Sequence, residues 1–337
     1  MTTALDSLLP PDLPSAEGLL DEGRRIGESV TCGVSMLCQE HGVRNEIEYK
    51  RKMQAEDRLM TVMDIGMQDW PQTAEALKRI HEECDRRGIR VDRFNLILDR
   101  RMGMPREHWE VTPKETGPML ESPDDWWATT HTIPCQPHTG DYMIGSPQSV
   151  ANTCSALTAG ITYIGNICQF AWRYPGLPDE VAQIIEMVKA IGIMASKRGQ
   201  AMCHTYLDDG YPAQMRDYCS YLGWALFERY VVEELCGANL SIAYGGLTDN
   251  PITKAVLIVA LEKIRPTDSL AAYYHGTTTA YTAEISRNYG VMGPDLLYTF
   301  LAQMHAGTAV VVQPTPVYEA VRIPRWQEIC DAQTIAH

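Results

Sequence analysis

Four of the nine histidines lie at or just after the ends of short runs that predict buried strands. An imidazole titrates near neutral pH, so it can exchange a proton with a substrate or hold a polar ligand. A single histidine in such a place is more often structural than catalytic. Several at the same end of one parallel sheet favour a shared site. These four residues are His131, His138, His204 and His275.

Two adjacent carboxylates and two adjacent glycines also follow predicted strands. Asp208 and Asp209 suit an acid–base pair, because neighbouring carboxylates push their pKa values apart. A solvated turn before Gly210 is the alternative interpretation. Gly245 and Gly246 let a ligand approach the backbone closely, although no phosphate-binding motif follows them. We therefore expect a catalytic set made of His204, Asp208, Asp209, His131 and His275.

The elements that would position these residues alternate along the chain. Alternating strands and helices indicate a parallel sheet. The number of units, and the lack of a G-x-G-x-x-G after any strand, favour a (β/α)8 barrel over an open doubly wound sheet. Strands are predicted at 90–99, 127–134, 161–167, 200–207, 239–246, 269–276 and 308–314. Helices are predicted at 44–65, 70–87, 146–160, 178–199, 212–237, 250–264, 280–305 and 325–336.

An eighth strand is harder to place, and the candidates are residues 30–37 and a segment near 140–145. Residues 1–28 predict a flexible, Pro-rich N-terminal arm, and residues 29–337 predict the barrel domain with a helical extension ahead of its first strand. In barrels of this kind the loops after the strands build the active site.

Composition excludes several classes of protein. The net charge of −14 argues against a nucleic-acid partner, and no segment has the roughly 18 consecutive apolar residues of a membrane span. The ten cysteines include no C-x-x-C pair, which argues against zinc ribbons and iron–sulfur clusters. Scattered cysteines and the lack of a secretory signal lead us to expect a reducing, cytoplasmic location.

Four segments, in order through the last two thirds of the chain, resemble one enzyme family. Residues 145–166 (GSPQSVANTCSALTAGITYIGN) are similar to its Gly-Thr-Pro helix and Gly-rich strand exit. Residues 199–212 (GQAMCHTYLDDGYP) stand where it has a strand ending in Arg-Glu-Pro-Phe-Gly. Residues 237–246 (GANLSIAYGG) resemble its strand ending in Gly-Tyr-Gly, and residues 315–324 (TPVYEAVRIP) resemble Lys-Thr-Pro-His-Glu-Ala-x-x-Ile-Pro. The family is the barrel-bearing large subunit of glutamate mutase, a coenzyme-B12 enzyme.

The resemblance implies which residues would lie beside a corrinoid. At some positions, however, this sequence differs from the family. His204 stands in place of an arginine that grips a substrate carboxylate, and Met143 and Ile144 stand where another arginine is expected. Imidazole and thioether groups do not replace bidentate guanidinium contacts, so glutamate is not the expected substrate. The implied cofactor-side residues are Asn166, Gly245, Gly246, Thr315, Glu319 and Ile323, with Thr315 in place of a lysine.

The expected function is therefore the catalytic subunit of an adenosylcobalamin-dependent carbon-skeleton mutase, acting on a small organic acid or related metabolite other than glutamate. The chain lacks the family's cobalt-binding Asp-x-His-x-x-Gly motif, which implies a separate corrinoid-binding subunit in a hetero-oligomer. Three alternatives stay open. They are corrinoid-dependent methyl transfer, a metal-dependent hydrolase or lyase without corrinoid, and a non-catalytic partner protein. The absence of H-x-H and H-E-x-x-H motifs counts against the metal-dependent enzyme, and no metal ligand is predicted.

Overall fold

The structure is a computed structural model that describes residues 13–167, 180–209, 217–266, 273–306 and 311–337. Eight parallel strands form a closed barrel in sequence order, with the eighth strand paired to the first. This arrangement confirms the predicted (β/α)8 barrel. The strands are β1 Met60–Ile65, β2 Arg93–Leu96, β3 Gln136–Thr139, β4 Tyr163–Gly165, β5 Met202–Tyr206, β6 Leu240–Tyr244, β7 Tyr273–His275 and β8 Val311–Gln313.

Helices precede β1 and connect the strands, and their starts follow local capping signals. The Asp69 side chain accepts from the backbone N–H of Gln72, and the Asn250 side chain accepts from Ile252 N and Thr253 N. None of the helices within the described ranges is both long and apolar enough to cross a bilayer. The helices are α1 Ala16–Ser29, α2 Met36–Glu40, α3 Glu46–Ala55, α4 Trp70–Arg86, α5 Pro123–His131, α6 Ser149–Ala159, α7 Glu180–Ser196, α8 Tyr218–Arg229, α9 Pro251–Ile264, α10 Ile285–Ala306 and α11 Trp326–Ala336.

The first strand lies inside the segment predicted as a helix over 44–65. Helix α3 ends at Ala55, Asp57 takes a left-handed backbone conformation with φ 52°, and β1 begins at Met60. Met60 and Met63 have the spacing of one helical turn, which caused the wrong interpretation. They belong to different packing clusters, as residues on opposite faces of a strand do. Neither 30–37 nor 140–145 is the eighth strand.

The predicted strand at 127–134 is also wrong, because α5 occupies most of it. Ser122 and Asp125 form a reciprocal capping box and Pro123 opens the first turn, a combination that starts a helix. The third strand follows at Gln136–Thr139 and contains a proline between polar residues. Its composition does not resemble that of a buried strand, so the apolar and β-branched residues of α5 misled the prediction.

Helix α1 lies within the segment predicted as a flexible arm, and residues 1–12 are outside the described ones. The helix packs closely on α7, because Gly23 and Gly27 bring the two backbones together. A Cβ at either glycine would overlap atoms of Lys189, Ile193 or Ser196. The Pro-rich start of the chain suggested an arm, but the apolar face of α1, with Leu19 and Leu20 buried, makes residues 16–28 part of the barrel's outer layer.

Helix α3 closes the N-terminal end of the barrel. Its Glu46 pairs with Arg93, the first residue of β2, at 2.9 Å, and both side chains are 0% exposed. Its Tyr49 hydroxyl donates to Asp92, and its Lys50 donates to Ser241 of β6. These contacts with the starts of β2 and β6 form a floor at this end of the barrel.

Behind β5, the carboxyl group of Glu228 on α8 is buried with one free oxygen. Its Oε1 accepts from Thr205 Oγ1 at 2.9 Å and from Trp224 Nε1 at 2.8 Å, while Oε2 has no hydrogen-bond partner among the described residues. Burial raises the pKa of Glu228 from 4.5 to about 7, against the effect of these two hydrogen bonds and of Arg229. A carboxyl group whose pKa rises on folding favours the folded state below pH 4.5 and loses that contribution as pH rises through about 7.

We expect Glu228→Gln to change the pH dependence of stability. The amide keeps an acceptor for Thr205 and Trp224 and carries no charge at any pH. The free energy of unfolding should match the wild type near pH 4 (about three units below neutrality) and exceed it near pH 8 by up to about 3 kcal/mol. Urea denaturation at both pH values measures this. Equal stability of the two proteins at the higher pH would contradict it.

Candidate functional site

A cavity of about 180 Å³ opens at the C-terminal ends of the strands, and we call it the mouth cavity. Residues on alternate positions of the strands point inward, so one ring of side chains surrounds it. Most of its described lining residues have polar side chains. Its polar side chains among the described residues are Asp64, Asn95, His138, Asp141, Asn166, His204, Tyr206, His275, Thr278 and Gln313.

Asp64, near the end of β1, is the carboxylate most strongly affected by this environment. Burial, followed by repulsion from Glu319 and Asp141, raises the pKa of Asp64 from 3.8 to about 7, although hydrogen bonds from Asn95 and Gln313 act in the opposite direction. Gln313 Nε2 donates to Asp64, and its Oε1 accepts from the Tyr273 hydroxyl at 2.5 Å. Asp64 can therefore exchange a proton near neutral pH.

The rings of His138 and His204 lie against each other, with their centroids 4.3 Å apart. His204 Nδ1 lies 3.0 Å from the Tyr163 hydroxyl, which in turn donates to Ser241 Oγ. Burial lowers the pKa of both histidines well below the ordinary value, and Arg93 beneath them adds to the effect. Both imidazoles are therefore neutral at physiological pH and act as hydrogen-bonding groups.

His275, at the end of β7, is the third histidine of the mouth cavity. Its ring packs against Tyr206, with centroids 4.4 Å apart, and against Tyr273 at 4.3 Å. Burial and the nearby Lys254 ammonium lower the pKa of His275 to about 3. Three neutral histidines therefore share the mouth cavity with a carboxyl group whose pKa is near 7.

Several buried polar atoms of this ring have no hydrogen-bond partner within the described part of the chain. Such an atom costs about 1–3 kcal/mol unless water or a ligand satisfies it. His138 is 1% exposed, and neither of its ring nitrogens has a partner. The other unpartnered atoms are Asp64 Oδ1, Asn95 Oδ1 and His275 Nε2. The mouth cavity thus has the groups that would bind a small polar ligand.

Five residues singled out from the sequence line the mouth cavity: His138, Asn166, His204, Gly246 and His275. Asn166 Oδ1 accepts from Tyr206 N at 2.9 Å, which ties the ends of β4 and β5 together. A Cβ at Gly246 would overlap the Tyr206 hydroxyl. Gly246 therefore makes room for a neighbouring side chain as well as lining the mouth cavity.

The remaining cofactor-side predictions lie around the mouth cavity. Gly245 has φ +119°, and a Cβ there would overlap Lys254, so the protein's own lysine takes the space expected for a ligand. Thr315 is buried, and Glu319 and Ile323 are exposed beyond β8. Ile323 also borders a groove between α4 and α11, outside the mouth cavity.

Asp208, the first residue of the predicted acid–base pair, does not line the mouth cavity. Asp208 is fully buried and accepts from Gly245 N and Leu247 N, so it holds the loop after β6. Burial raises its pKa to about 6, and the backbone hydrogen bonds oppose this. The side chain of Asp209 lies outside the described residues. His131 lies at the end of α5, stacked on Trp127, because the strand predicted around it is a helix. That helix end precedes β3 and therefore lies toward the floor.

Sequence reasoning missed Asp64 and Asn95. Asp64 fell inside a predicted helix, and Asn95 lies within a predicted strand, where only the exit residues were considered. The signal available was inward alternation, with Met60, Val62 and Asp64 on one face of β1. Among the described residues, no group of three or more His, Cys, Asp or Glu side chains is placed to hold a metal ion.

No protein-family model and no curated protein sequence matches the chain. Similar solved structures include a dihydropteroate synthase from Xanthomonas albilineans, with 14% identity, 83% of this chain and 92% of that chain covered, and a TM-score of 0.46. A protein from Burkholderia cenocepacia described as a phosphonomutase has 13% identity, with 79% of this chain and 91% of that chain covered and a TM-score of 0.43. Likenesses this weak do not indicate what the chain binds or catalyses.

Proposed function

We propose that the chain is the catalytic barrel of a cobalamin-dependent isomerase, with the corrinoid carried mainly by a separate subunit. The observation that supports this proposal most is the convergence of Asn166, His204, Gly246 and His275 on one mouth cavity. The resemblance to the glutamate mutase large subunit implies a corrinoid role for Asn166, directly after β4, and a substrate role for His204, on β5.

The residues around the mouth fit a large planar group that lies over it. The mouth cavity, at about 180 Å³, suits a small metabolite and is far smaller than a corrinoid. Asn166 and Gly246 line it, and Glu319 and Ile323 are exposed next to β8. These four would contact the corrinoid, while the buried Thr315 and Gly245 would support them from below. When bound, adenosylcobalamin supplies the radical chemistry of a carbon-skeleton rearrangement.

The chain's own residues would bind the substrate and keep water away. His138 and His204 are neutral, so they offer directed hydrogen bonds without a charge that must be solvated. Asp64 is the group whose pKa, at about 7, suits proton exchange at neutral pH. The floor made by α3 lies beneath the mouth cavity, and the cavity opens at the mouth. A covered mouth would therefore enclose the substrate in a dry, polar space.

We expect His204→Ala to lower kcat/KM by about 100-fold in the complex with the corrinoid subunit, because the substrate loses a positioning contact. His131→Ala is the matched control, since it removes a histidine that lies near the floor and outside the mouth cavity. Turnover and circular dichroism of both variants measure activity and folding. Full activity of a folded His204→Ala protein would rule out the proposed role of this residue.

A second candidate is corrinoid-dependent methyl transfer, and Asp64 is the observation that favours it. A carboxyl group with a pKa of about 7 can protonate a leaving group as its methyl group departs. The two candidates differ in the upper ligand of the corrinoid, which is adenosyl in an isomerase and methyl in a methyltransferase.

The experiment that tests the proposal is affinity purification of the full chain from its native source. The purified material would be examined by ultraviolet–visible spectroscopy, metal analysis and mass spectrometry. Co-purification of a second protein with corrinoid absorption and stoichiometric cobalt supports the proposal, and the upper ligand distinguishes the two candidates. Stoichiometric zinc, manganese or iron without cobalt would instead favour the metal-dependent enzyme.

A further inference from the structure

Among the described residues that line the mouth cavity, the charged side chains are acidic. Asp64 and Asp141 line it, and the described lining contains no lysine or arginine. The cations that act on the histidines of the mouth cavity are Arg93, Lys50 and Lys254, and each is engaged elsewhere. Arg93 pairs with Glu46, Lys50 donates to Ser241, and Lys254 pairs with Asp295. A ligand in the mouth cavity therefore meets carboxylates first.

Two unpartnered atoms of the mouth cavity lie near one open point, the position of a Cβ on Gly140. A Cβ built on Gly140 would lie 3.7 Å from both Asn95 Oδ1 and His138 Nε2, in ordinary van der Waals contact. Asn95 in turn hydrogen-bonds to Asp64, whose Oδ1 is also unpartnered. Amide and carboxylate oxygens accept hydrogen bonds and do not donate them when the carboxylate is ionised. The space above Gly140 thus favours a ligand that donates hydrogen bonds.

We propose that the mouth cavity binds the protonated amino group of a small amine, with Asp64 as its counterion and Asn95 Oδ1 as a second acceptor. A carboxylate in the same position would face Asp64 and Asp141 without a compensating cation from the described lining. The inference rests on the proposed use of the mouth cavity as the substrate site. It names an amine as the substrate class, in place of the organic acid that the sequence resemblance favours.

The electrostatics of the mouth cavity agree with this assignment. Repulsion from Glu319 and Asp141 contributes to the raised pKa of Asp64, and an ammonium group would relieve that repulsion. The pKa values of His138, His204 and His275 are all lowered, so these side chains do not supply a competing positive charge. The three imidazoles remain available to hydrogen-bond the rest of the ligand.

The test is a ligand-observed NMR titration of the full chain with three matched probes: propylammonium, propionate and propionamide. We expect propylammonium to bind more tightly than the other two. Arg173 and Arg216 follow β4 and β5 in the sequence, outside the described residues, so propionate serves as the opposing probe. Propionate binding as tightly as propylammonium, or no binding of propylammonium, would overturn the proposal.

Two variants locate the binding. Asp64→Asn should weaken propylammonium binding by about 10- to 100-fold, as expected for loss of a hydrogen bond to a charged group. Gly140→Val fills the open point without left-handed backbone strain and should abolish binding. Glu75→Gln, an exposed carboxylate on α4, is the control with unchanged affinity. Unchanged affinity in a folded Gly140→Val protein would also overturn the proposal.

This titration needs neither cobalamin nor a partner protein. Selective amine binding in a chain that purifies without corrinoid would contradict the proposed function and support the ligand assignment. Corrinoid co-purification together with preferential propionate binding would support the proposed function and contradict the ligand assignment. The two failures can therefore be told apart.

Discussion

Replacing Arg93 with methionine is expected to lower the free energy of unfolding by about 3–5 kcal/mol, because it leaves the buried Glu46 carboxylate without its counterion. Neither side chain has any exposed surface, and the ionic atoms are 2.9 Å apart. The guanidinium carbon also lies 4.2 Å from the centre of the Tyr163 ring, a cation–π contact that the variant loses.

A double-mutant cycle with Glu46→Gln measures the coupling. The double variant carries no buried charge from this pair, so we expect it to recover a large part of the lost stability. Arg79→Met is the control, since Arg79 and its partner Glu75 are 54% and 59% exposed and such pairs contribute about 1 kcal/mol or less. Similar losses for Arg93→Met and Arg79→Met in urea denaturation would contradict the role of burial.

Replacing Lys254 with methionine is the second change with a large expected effect, again about 3–5 kcal/mol of unfolding free energy. Lys254 Nζ lies 2.9 Å from both carboxylate oxygens of Asp295, and the two side chains are 1% and 5% exposed. The same ammonium donates to the carbonyl of His275, and Asp295 accepts from Thr277 N at 3.2 Å. The variant therefore also loosens the segment that carries His275.

The matched control is Lys263→Met, which removes an exposed lysine from the same helix. Lys254→Met combined with Asp295→Asn removes both charges and should regain stability relative to Lys254→Met alone. Chemical denaturation of the wild type, Lys254→Met, Asp295→Asn and the double variant gives the coupling energy. If the double variant is less stable than Lys254→Met, the uncompensated Asp295 charge is not the cause of the loss.

The barrel could be predicted because most of its strands and helices have clear signals within a short stretch of sequence. Met202–Tyr206 and Leu240–Tyr244 are buried on both faces, so they appear as short, largely apolar runs between helices with clear caps. The strand Gln136–Thr139 could not be found this way. All four of its residues are buried; Gln136 donates to the carbonyl of Gly160 and His138 packs against the ring of His204, and both contacts depend on the folded barrel.

Site residues could be predicted from the sequence only by the rule that polar residues at the C-terminal ends of strands line the site. His204 and His275 satisfied that rule, and the structure places both in the mouth cavity. Asp208 satisfied it too, but the backbone amides of Gly245 and Leu247 engage its carboxylate. That contact joins residues about 37 positions apart along the chain, and no local pattern encodes it. Asp64 required the correct assignment of β1, which the methionine spacing hid.

The floor made by α3 places its side chains across one end of the barrel interior. Glu46, Tyr49 and Lys50 lie at that end, and the mouth cavity opens at the other. A group that docked over the mouth would impose an order of events. A small ligand would have to arrive before that group and could leave through the mouth only after the group had moved away. Such a group would therefore set the residence time of whatever lay beneath it.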